Sequence, residues 1–380
     1  MQTNTKDNGS LAAPAPSTSR LSQIRDEIDA IDKSLLDLLN KRARCSMEVG
    51  SIKSTQGAPV YRPGREQLLL EKLLERNEGP LPETHLRHVY REIISSSRML
   101  QQPLRIAFLG PEGTFSHMAG LEFFGKSPDY QPMQQIEQVF ESVENHGCEL
   151  GIVPLENSLH GTVVRSIDLF ARHEVCIQAE WFSRISHSLL SREDDMAAIT
   201  TVYSHPQPLG QCAIWLREHL PRARQVSLES TAAAAHRALS ESGAAAIAHG
   251  GLASRLGLAT LASCIEDASD NWTRFAVIAS CLAEHDGADK TSILFTLPDK
   301  PGSLHAVLDV FAKASINLNK LESRPMKHER WKYVFFCDLA VDITAPEHKP
   351  LLEDVRANCH SFRVLGAYPS GSYIQPEGNR

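Results

Sequence analysis

The sequence predicts a multidomain chain with three differently built segments. These are an all-helical N-terminal part, an α/β middle with a mostly parallel sheet, and a C-terminal α+β unit. Three observations predict this. Apolar residues recur at alternating three- and four-residue intervals from Leu21 to Ile52, the period of one helix face. Short apolar runs at 105–110, 150–154, 200–203 and 244–248 alternate with helical stretches, as in α/β proteins. Beyond residue 290 the order strand, helix, strand, strand, helix, strand follows, which is ferredoxin-like. At 380 residues the chain is long enough for two or three cores.

Composition excludes several function classes. Hydrophobic residues make up 42% and charged residues 22%, an ordinary globular balance. The net charge of −7 argues against nucleic-acid binding. No apolar run reaches the roughly 18–20 residues of a membrane span. The eight cysteines at 45, 148, 176, 212, 264, 281, 337 and 359 form no CxxC pair, so free thiols in a reducing cytoplasm are expected. The sixteen histidines show no HExxH or comparable spacing, and no metal site is predicted. Residues 1–20 lack the apolar core of a secretory signal and read as a disordered tail.

The first helix carries Leu21, Ile24, Ile28, Ile31, Leu35 and Leu38 on one face, continued by Cys45, Val49 and Ile52. About 30 residues would run roughly 50 Å, so a partner helix is needed along its length. Gly57, Pro59, Pro63 and Gly64 break it. Further helices are predicted over 65–76 and 82–102. Arg42 stands where the repeat asks for an apolar residue, and a buried charge needs compensation. Lys53, eleven residues on, lies about 20° around the same face. Two long cations there could hold a small organic anion. Arg25 is about 100° away from Arg42 and could join them only from a second copy of the helix, which predicts a homodimer with shared sites. A solvated helix with surface cations fits the pattern alone. Ser97 and Gln101 are spaced i, i+4 on one face of the third helix.

Pro103 marks a boundary, and four motifs follow. Residues 110–117 (GPEGTFSH) form a glycine-rich turn between a strand and a helix, placing Thr114 and Ser116 where an anion could sit. Residues 154–161 (PLENSLHG) set Glu156, Asn157 and Ser158 at a strand's C-terminal end, where open α/β sheets bind ligands. Ser204 and His205 follow the strand 200–203 in the same way, with Gln211 one turn into the next helix. Residues 271–275 (NWTRF) precede a strand over 276–279. Each motif alone fits a capped loop. After a polar linker, 284–290, the last segment carries PGSL at 301–304 and LESRP at 321–325. Gly302 would let backbone approach a small ligand closely.

Together these features resemble the bifunctional chorismate mutase–prephenate dehydratase family with a C-terminal ACT domain. The resemblance implies a disordered tail (1–20), an intertwined helical mutase domain (21–102), a dehydratase domain (103–283), the linker and an ACT domain (291–371) before a final tail (372–380). The dehydratase would be two α/β lobes around a cleft, like type II periplasmic binding proteins. In the mutase, Arg25, Arg42, Lys53, Arg62, Glu66, Ser97 and Gln101 fall on substrate-binding positions, with Lys53 and Gln101 donating to the ether oxygen of chorismate. Arg62 stands where some members carry Asp. That rearrangement needs positioning and electrostatic stabilisation, and no cofactor.

In the dehydratase, prephenate must lose carbon dioxide and hydroxide, and hydroxide needs a proton donor. The resemblance makes Thr273 that donor. Thr114, Ser116, Glu156, Asn157, Ser158, Ser204, His205, Gln211, Arg274 and Phe275 would line the substrate site. His160 replaces a commonly acidic residue. In the ACT domain, Gly302, Ser303, Leu304, Asn317, Glu322 and Ser323 would bind the effector L-phenylalanine across a dimer, with Ser303 where Ala is frequent. Two other readings stay open: a non-catalytic amino-acid sensor, and a dehydratase whose helical part only dimerises.

Overall fold

The computed structural model describes residues 16–56, 61, 63–280, 287–326 and 332–371. Arg62, Cys281, residues 1–15 and 372–380, and 284–286 of the linker lie outside the described residues; residues 16–20 of the expected tail are helical. The chain divides into two compact units, Met1–Ala58 and Pro59–Arg380. Among the described residues no helix is long and apolar enough to cross a membrane.

The first unit is one helix, α1 (Pro16–Gln56), longer at its start than the apolar repeat predicts. Leu21, Ile24, Ile28, Ile31, Leu35 and Leu38 stand exposed along it. Covering such side chains is worth about 1.5–3 kcal/mol each, so the stripe is a strong driving force for helix association.

The second unit begins with α2 (Pro63–Glu75) and α3 (Glu83–Gln101), and these helices pack on the α/β body. Buried Arg98 donates to the Phe124 carbonyl at 2.8 Å and lies over the Phe124 and Tyr61 rings. Glu66 faces its Nε at 3.6 Å. Pro103 thus ends a helix without separating two compact units.

The first lobe of the body holds β1 (Arg105–Leu109), α4 (Phe115–Phe124), β2 (Asp129–Met133), α5 (Ile136–Glu144), β3 (Leu150–Asn157), β4 (Gly161–Thr162), α6 (Val164–Phe170) and β5 (Cys176–Arg184). The second lobe holds β6 (Ser188–Ser191), β7 (Thr201–Ser204), α7 (Pro206–Gln211), α8 (Ala213–His219), β8 (Arg224–Ser227), α9 (Thr231–Ser240), β9 (Ala244–Ala248), α10 (Gly251–Leu256) and β10 (Ala259–Ser263). The chain then returns as β11 (Trp272–Ala279) into the first sheet, between β3 and β5. The sheet orders are β2-β1-β3-β11-β5 and β10-β6-β9-β7-β8. The expected mostly parallel sheet is therefore two mixed sheets. β1 runs parallel to β2 and β3, but β11 is antiparallel to both its neighbours because it re-enters from the other lobe.

The last part is β12 (Lys290–Thr296), α11 (Ser303–Lys313), β13 (Leu318–Pro325), β14 (Tyr333–Leu339), α12 (Lys349–Asn358) and β15 (Ser361–Tyr368). Its order β13-β14-β12-β15 is the ferredoxin-like one the sequence predicts. Ile293, Phe295, Val307, Phe311 and Val355 fill its core.

A buried ionic quartet joins this sheet to the first lobe. Arg274 on β11 pairs with Glu180 on β5 and Asp338 on β14, and Lys290 on β12 reaches both carboxylates. Tyr368 and Ser292 hydrogen-bond into the group. Two positive and two negative groups balance, which makes burial tolerable. Burial opposes ionisation of Asp338, yet Arg274 and Lys290 hold its carboxyl below the usual carboxylate range. A lowered folded-state value stabilises above the unfolded value of about 3.9 and loses that contribution as pH falls. Asp338→Asn should therefore cost roughly 3–5 kcal/mol by leaving an uncompensated buried cation. Denaturant unfolding at neutral pH checks the loss, and the variant should fade less steeply than the parent on acidification.

Candidate active site

The C-terminal end of β3 and the start of β11 lie side by side, with Asn157 opposite Thr273. The Asn157 side chain closes a turn, its Oδ1 accepting from the backbone N–H of Leu159 and His160 at 3.1 and 3.0 Å. That fixes the amide's orientation and turns Nδ2 toward β11. There it donates to Asn271 Oδ1 at 2.7 Å, the Trp272 carbonyl at 3.0 Å and Thr273 Oγ1 at 3.1 Å. The Thr273 oxygen thus serves as an acceptor, which leaves its hydroxyl hydrogen to donate. Accepting a bond polarises a hydroxyl toward donation.

The second lobe reaches this point through Gln211, at the end of α7. Its Nε2 meets His160 Nε2 at 3.0 Å and its Oε1 meets His187 Nε2 at 2.8 Å. With the amide so placed, His187 carries its proton on Nε2 and His160 presents an unprotonated Nε2. The amide bridges the two lobes. Phe115 on α4 sets its ring nearly perpendicular to both His187 and His249. His249 accepts from the Gly251 N–H, and His117 from the Gly113 N–H. Gly113 has φ +86, and a Cβ there would stand 2.3 Å from Leu252 Cδ2, so the 110–117 turn presses against α10. Arg255 and Glu112 add an ion pair across the same contact.

Other expected residues are placed as follows. Thr114 caps α4, donating to the Leu109 carbonyl and accepting from His117 N–H. Ser116 is buried on the first turn of α4. Ser158 ties the Asp270 carbonyl and Trp272 N–H together. The buried Ser204 hydroxyl donates to the Ile247 carbonyl, and His205 caps α7. Glu156 pairs with Lys320 Nζ at 2.8 Å. Arg274 alternates with Thr273 along β11 and faces away from it, into the ionic quartet. Phe275 is buried in the core among Ile106, Ile152 and Val277. Arg274 points away from Thr273 by period-two alternation, whereas Phe275 lies on the same side as Thr273 but is 2% exposed and packed into the core of the first lobe. Cys212 is buried in the second lobe's core, and burial pushes its thiol up to about 12, which disfavours the thiolate a nucleophile needs.

Sequence reasoning did not single out Asn271, His187, Lys320 or Arg98. A strand's alternation could have flagged Lys320. β13 sends Lys320, Glu322 and Arg324 to one side, where they meet Glu156, Thr162 and Asp168 of the first lobe. Leu321 and Ser323 are exposed on the other side. Glu322 and Ser323 therefore part company, although they are neighbours in the expected effector motif. Gly302, with φ +83, opens α11 and is exposed with space around it. Ser303 Oγ donates to the Lys300 carbonyl, Leu304 packs against the ACT core and Asn317 bonds Asn319.

Of the remaining residues, Arg25, Arg42 and Lys53 lie on α1; Arg25 is exposed, the other two half-buried. In the second unit Glu66 faces Arg98, and Ser97 donates to the Ile93 carbonyl. Gln101 Nε2 donates to the Ser97 carbonyl, and its Oε1 is buried without a hydrogen-bond partner among the described residues.

Three family models match the chain: chorismate mutase type II over residues 24–102, prephenate dehydratase over 106–281 and the ACT domain over 291–357. A bifunctional chorismate mutase/prephenate dehydratase of Aquifex aeolicus is 42% identical over 353 residues, covering 92% of this chain and 98% of its own. The chain belongs to the bifunctional chorismate mutase/prephenate dehydratase family. Within it, the second unit is similar to the prephenate dehydratase of Arthrobacter aurescens in complex with L-Phe, at 31% identity and a TM-score of 0.64, over 72% of this chain and 94% of that one. The Staphylococcus aureus prephenate dehydratase gives 30%, 0.62, 70% and 100% respectively. Both catalytic domains and the ACT domain of the family are thus present in one polypeptide.

Burial holds the imidazoles of His117, His187 and His249 below their ordinary value. Unfolded histidines titrate near pH 6.5, so on acidification the unfolded chain takes up protons before these rings do. Their stabilisation is present above that pH and is lost below it, by up to about 1.4 kcal/mol per pH unit for each ring. Urea unfolding from about pH 7.5 to about pH 5.5 should show this decline, and His187→Gln should make it shallower.

Proposed function

We propose that the chain rearranges chorismate to prephenate, then converts prephenate to phenylpyruvate, and that L-phenylalanine restrains it as the end product of that route. The observation that carries the second reaction is the Thr273 hydroxyl, held as an acceptor by the orientation-fixed Asn157 amide. In the dehydratase step the bond to the ring carboxylate breaks and its electron pair moves into the ring. The bond to the ring hydroxyl breaks with it, and the departing hydroxide takes a proton to become water. Thr273 donates that proton and regains one from solvent. Asn157, Ser158, Thr114, Ser116 and Gln211 hold the substrate, while Arg274 and Glu156 carry structural pairs behind it.

For the first reaction, family membership supports a carboxylate clamp through the half-buried Arg42, with the half-buried Lys53 donating to the ether oxygen. Arg25 joins the clamp from a second copy of α1, and the exposed apolar stripe of α1 supports that homodimer. Glu66, Ser97 and Gln101 complete the chorismate contacts. The buried free thiols Cys148, Cys212 and Cys337 fit a reducing cytoplasm.

For regulation, the support is an ACT domain, a relative in complex with L-Phe, and the charged face of β13 against the first lobe. Lys320 touches Glu156, the neighbour of Asn157, so a shift of β13 reaches the site through one ion pair.

Purified protein supplied with chorismate alone should form phenylpyruvate. Thr273→Ala should cut that product by roughly a hundredfold or more and let prephenate accumulate; equal loss of both activities would sink the assignment. Lys320→Met should keep an uninhibited rate close to the parent's and weaken inhibition by added L-phenylalanine, read from the dose dependence. An unchanged dose dependence would remove the Lys320 contact from the regulatory route.

A further inference from the structure

Asn271 immediately precedes β11 and is 1% exposed. Its backbone carbonyl accepts from the Ile185 N–H at 2.7 Å, which extends the β11–β5 pairing by one residue. Its side-chain oxygen accepts from Asn157 Nδ2 at 2.7 Å. Its own Nδ2 is buried with no hydrogen-bond partner among the described residues. A buried unpaired amide donor costs about 1–3 kcal/mol, so its persistence asks for a reason.

Flipping the amide does not relieve it. The backbone N–H groups of Leu159 and His160 fix the Asn157 oxygen, so the Asn157 nitrogen must face Asn271. A flipped Asn271 would set one NH₂ against another. The chain of orientations therefore ends with an N–H donor held unused, and Asn271 and Thr273 meet the same Asn157 nitrogen, at 2.7 and 3.1 Å.

We propose that Asn271 Nδ2 is a second donor to the leaving hydroxyl oxygen of the dehydratase substrate, beside the Thr273 hydroxyl. This rests on the dehydratase reading of the site. As the carbon–oxygen bond breaks, negative charge gathers on that oxygen. Two fixed neutral donors then receive it: Thr273 supplies the proton that completes water, and Asn271 hydrogen-bonds without transferring one. The carboxylate that departs as carbon dioxide needs no cation here, since its charge disperses into the ring. An unpaired donor becomes paired as the charge appears, so the interaction is stronger in the transition state than in the ground state.

The test uses the full-length protein with prephenate. Asn271→Asp keeps the oxygen that Asn157 needs and replaces the donor by an acceptor. It should lower kcat by about a hundredfold or more while KM for prephenate stays within about threefold of the parent, the pattern of a contact made only in the transition state. Chorismate consumption by the same polypeptide should be unchanged. A parent-like kcat, or a loss of kcat matched by loss of chorismate consumption and of the thermal unfolding midpoint, overturns the proposal. If the aspartate variant does not fold, Asn271→Ser decides by the same split of kcat from KM. Parent protein that forms no phenylpyruvate from prephenate overturns the dehydratase reading itself, whatever the variants do.

Discussion

The structure depends on the ionic quartet of Arg274, Glu180, Lys290 and Asp338. It lies where two strands of the first lobe's sheet meet two of the ACT sheet, and it has no net charge. Hydrophobic residues of equal volume would hold such a junction as firmly or more so. What ions add is direction: a guanidinium fork meets a carboxylate in few geometries. The ACT sheet is thereby docked on β5 and β11 in one register, and β11 is the strand that carries Thr273.

On the opposite face of that strand the same economy of orientation holds at the proposed site. Two backbone N–H groups orient Asn157, Asn157 orients Asn271, and both flank Thr273. No charged group is needed among these three residues. A neutral array suits a reaction in which one anion disperses while another forms, since a fixed cation would stabilise the starting carboxylate as well. The second lobe closes on this array through Gln211, whose amide reads the tautomers of His160 and His187.

Much of this was legible in the sequence, for reasons that differ by region. The helices and the ACT strands follow local periodicity, so their bounds fall within a few residues of those predicted. β9 is an all-alanine-and-isoleucine run flanked by glycine and histidine and matches the predicted span, 244–248. β5 and β2 escaped because their alternation is mixed with polar residues that face neighbouring elements, such as Glu180 in its buried pairs. The antiparallel course of β11 could not be read locally, since it depends on the chain leaving for a second lobe and returning. In the site, motif resemblance led to Asn157 and Thr273, but grouping residues by motif also swept in Arg274 and Phe275. Strict alternation along a strand separates Arg274 from Thr273, while Phe275, on Thr273's side, is set apart by its burial in the core.

That alternation also gives the proposed regulation a route from the ACT domain to the proposed site. β3 and β11 pair so that Asn157 stands opposite Thr273 and Glu156 opposite Arg274. The first pair is joined by the hydrogen bond from Asn157 Nδ2 to Thr273 Oγ1. The second pair looks the other way, where Glu156 meets Lys320 of β13 and Arg274 meets Asp338 of β14. Asn157 and Thr273 are therefore each one peptide unit from a residue anchored in the ACT sheet. Packed strands shift as units rather than deforming smoothly, so a displacement of that sheet would move Asn157 and Thr273 together. The hydrogen bond between Asn157 and Thr273 would survive such a shift, while their position relative to Gln211 would change. Coupling of this kind requires no rearrangement inside the catalytic array, only that its two strands carry chemistry and anchorage on opposite faces.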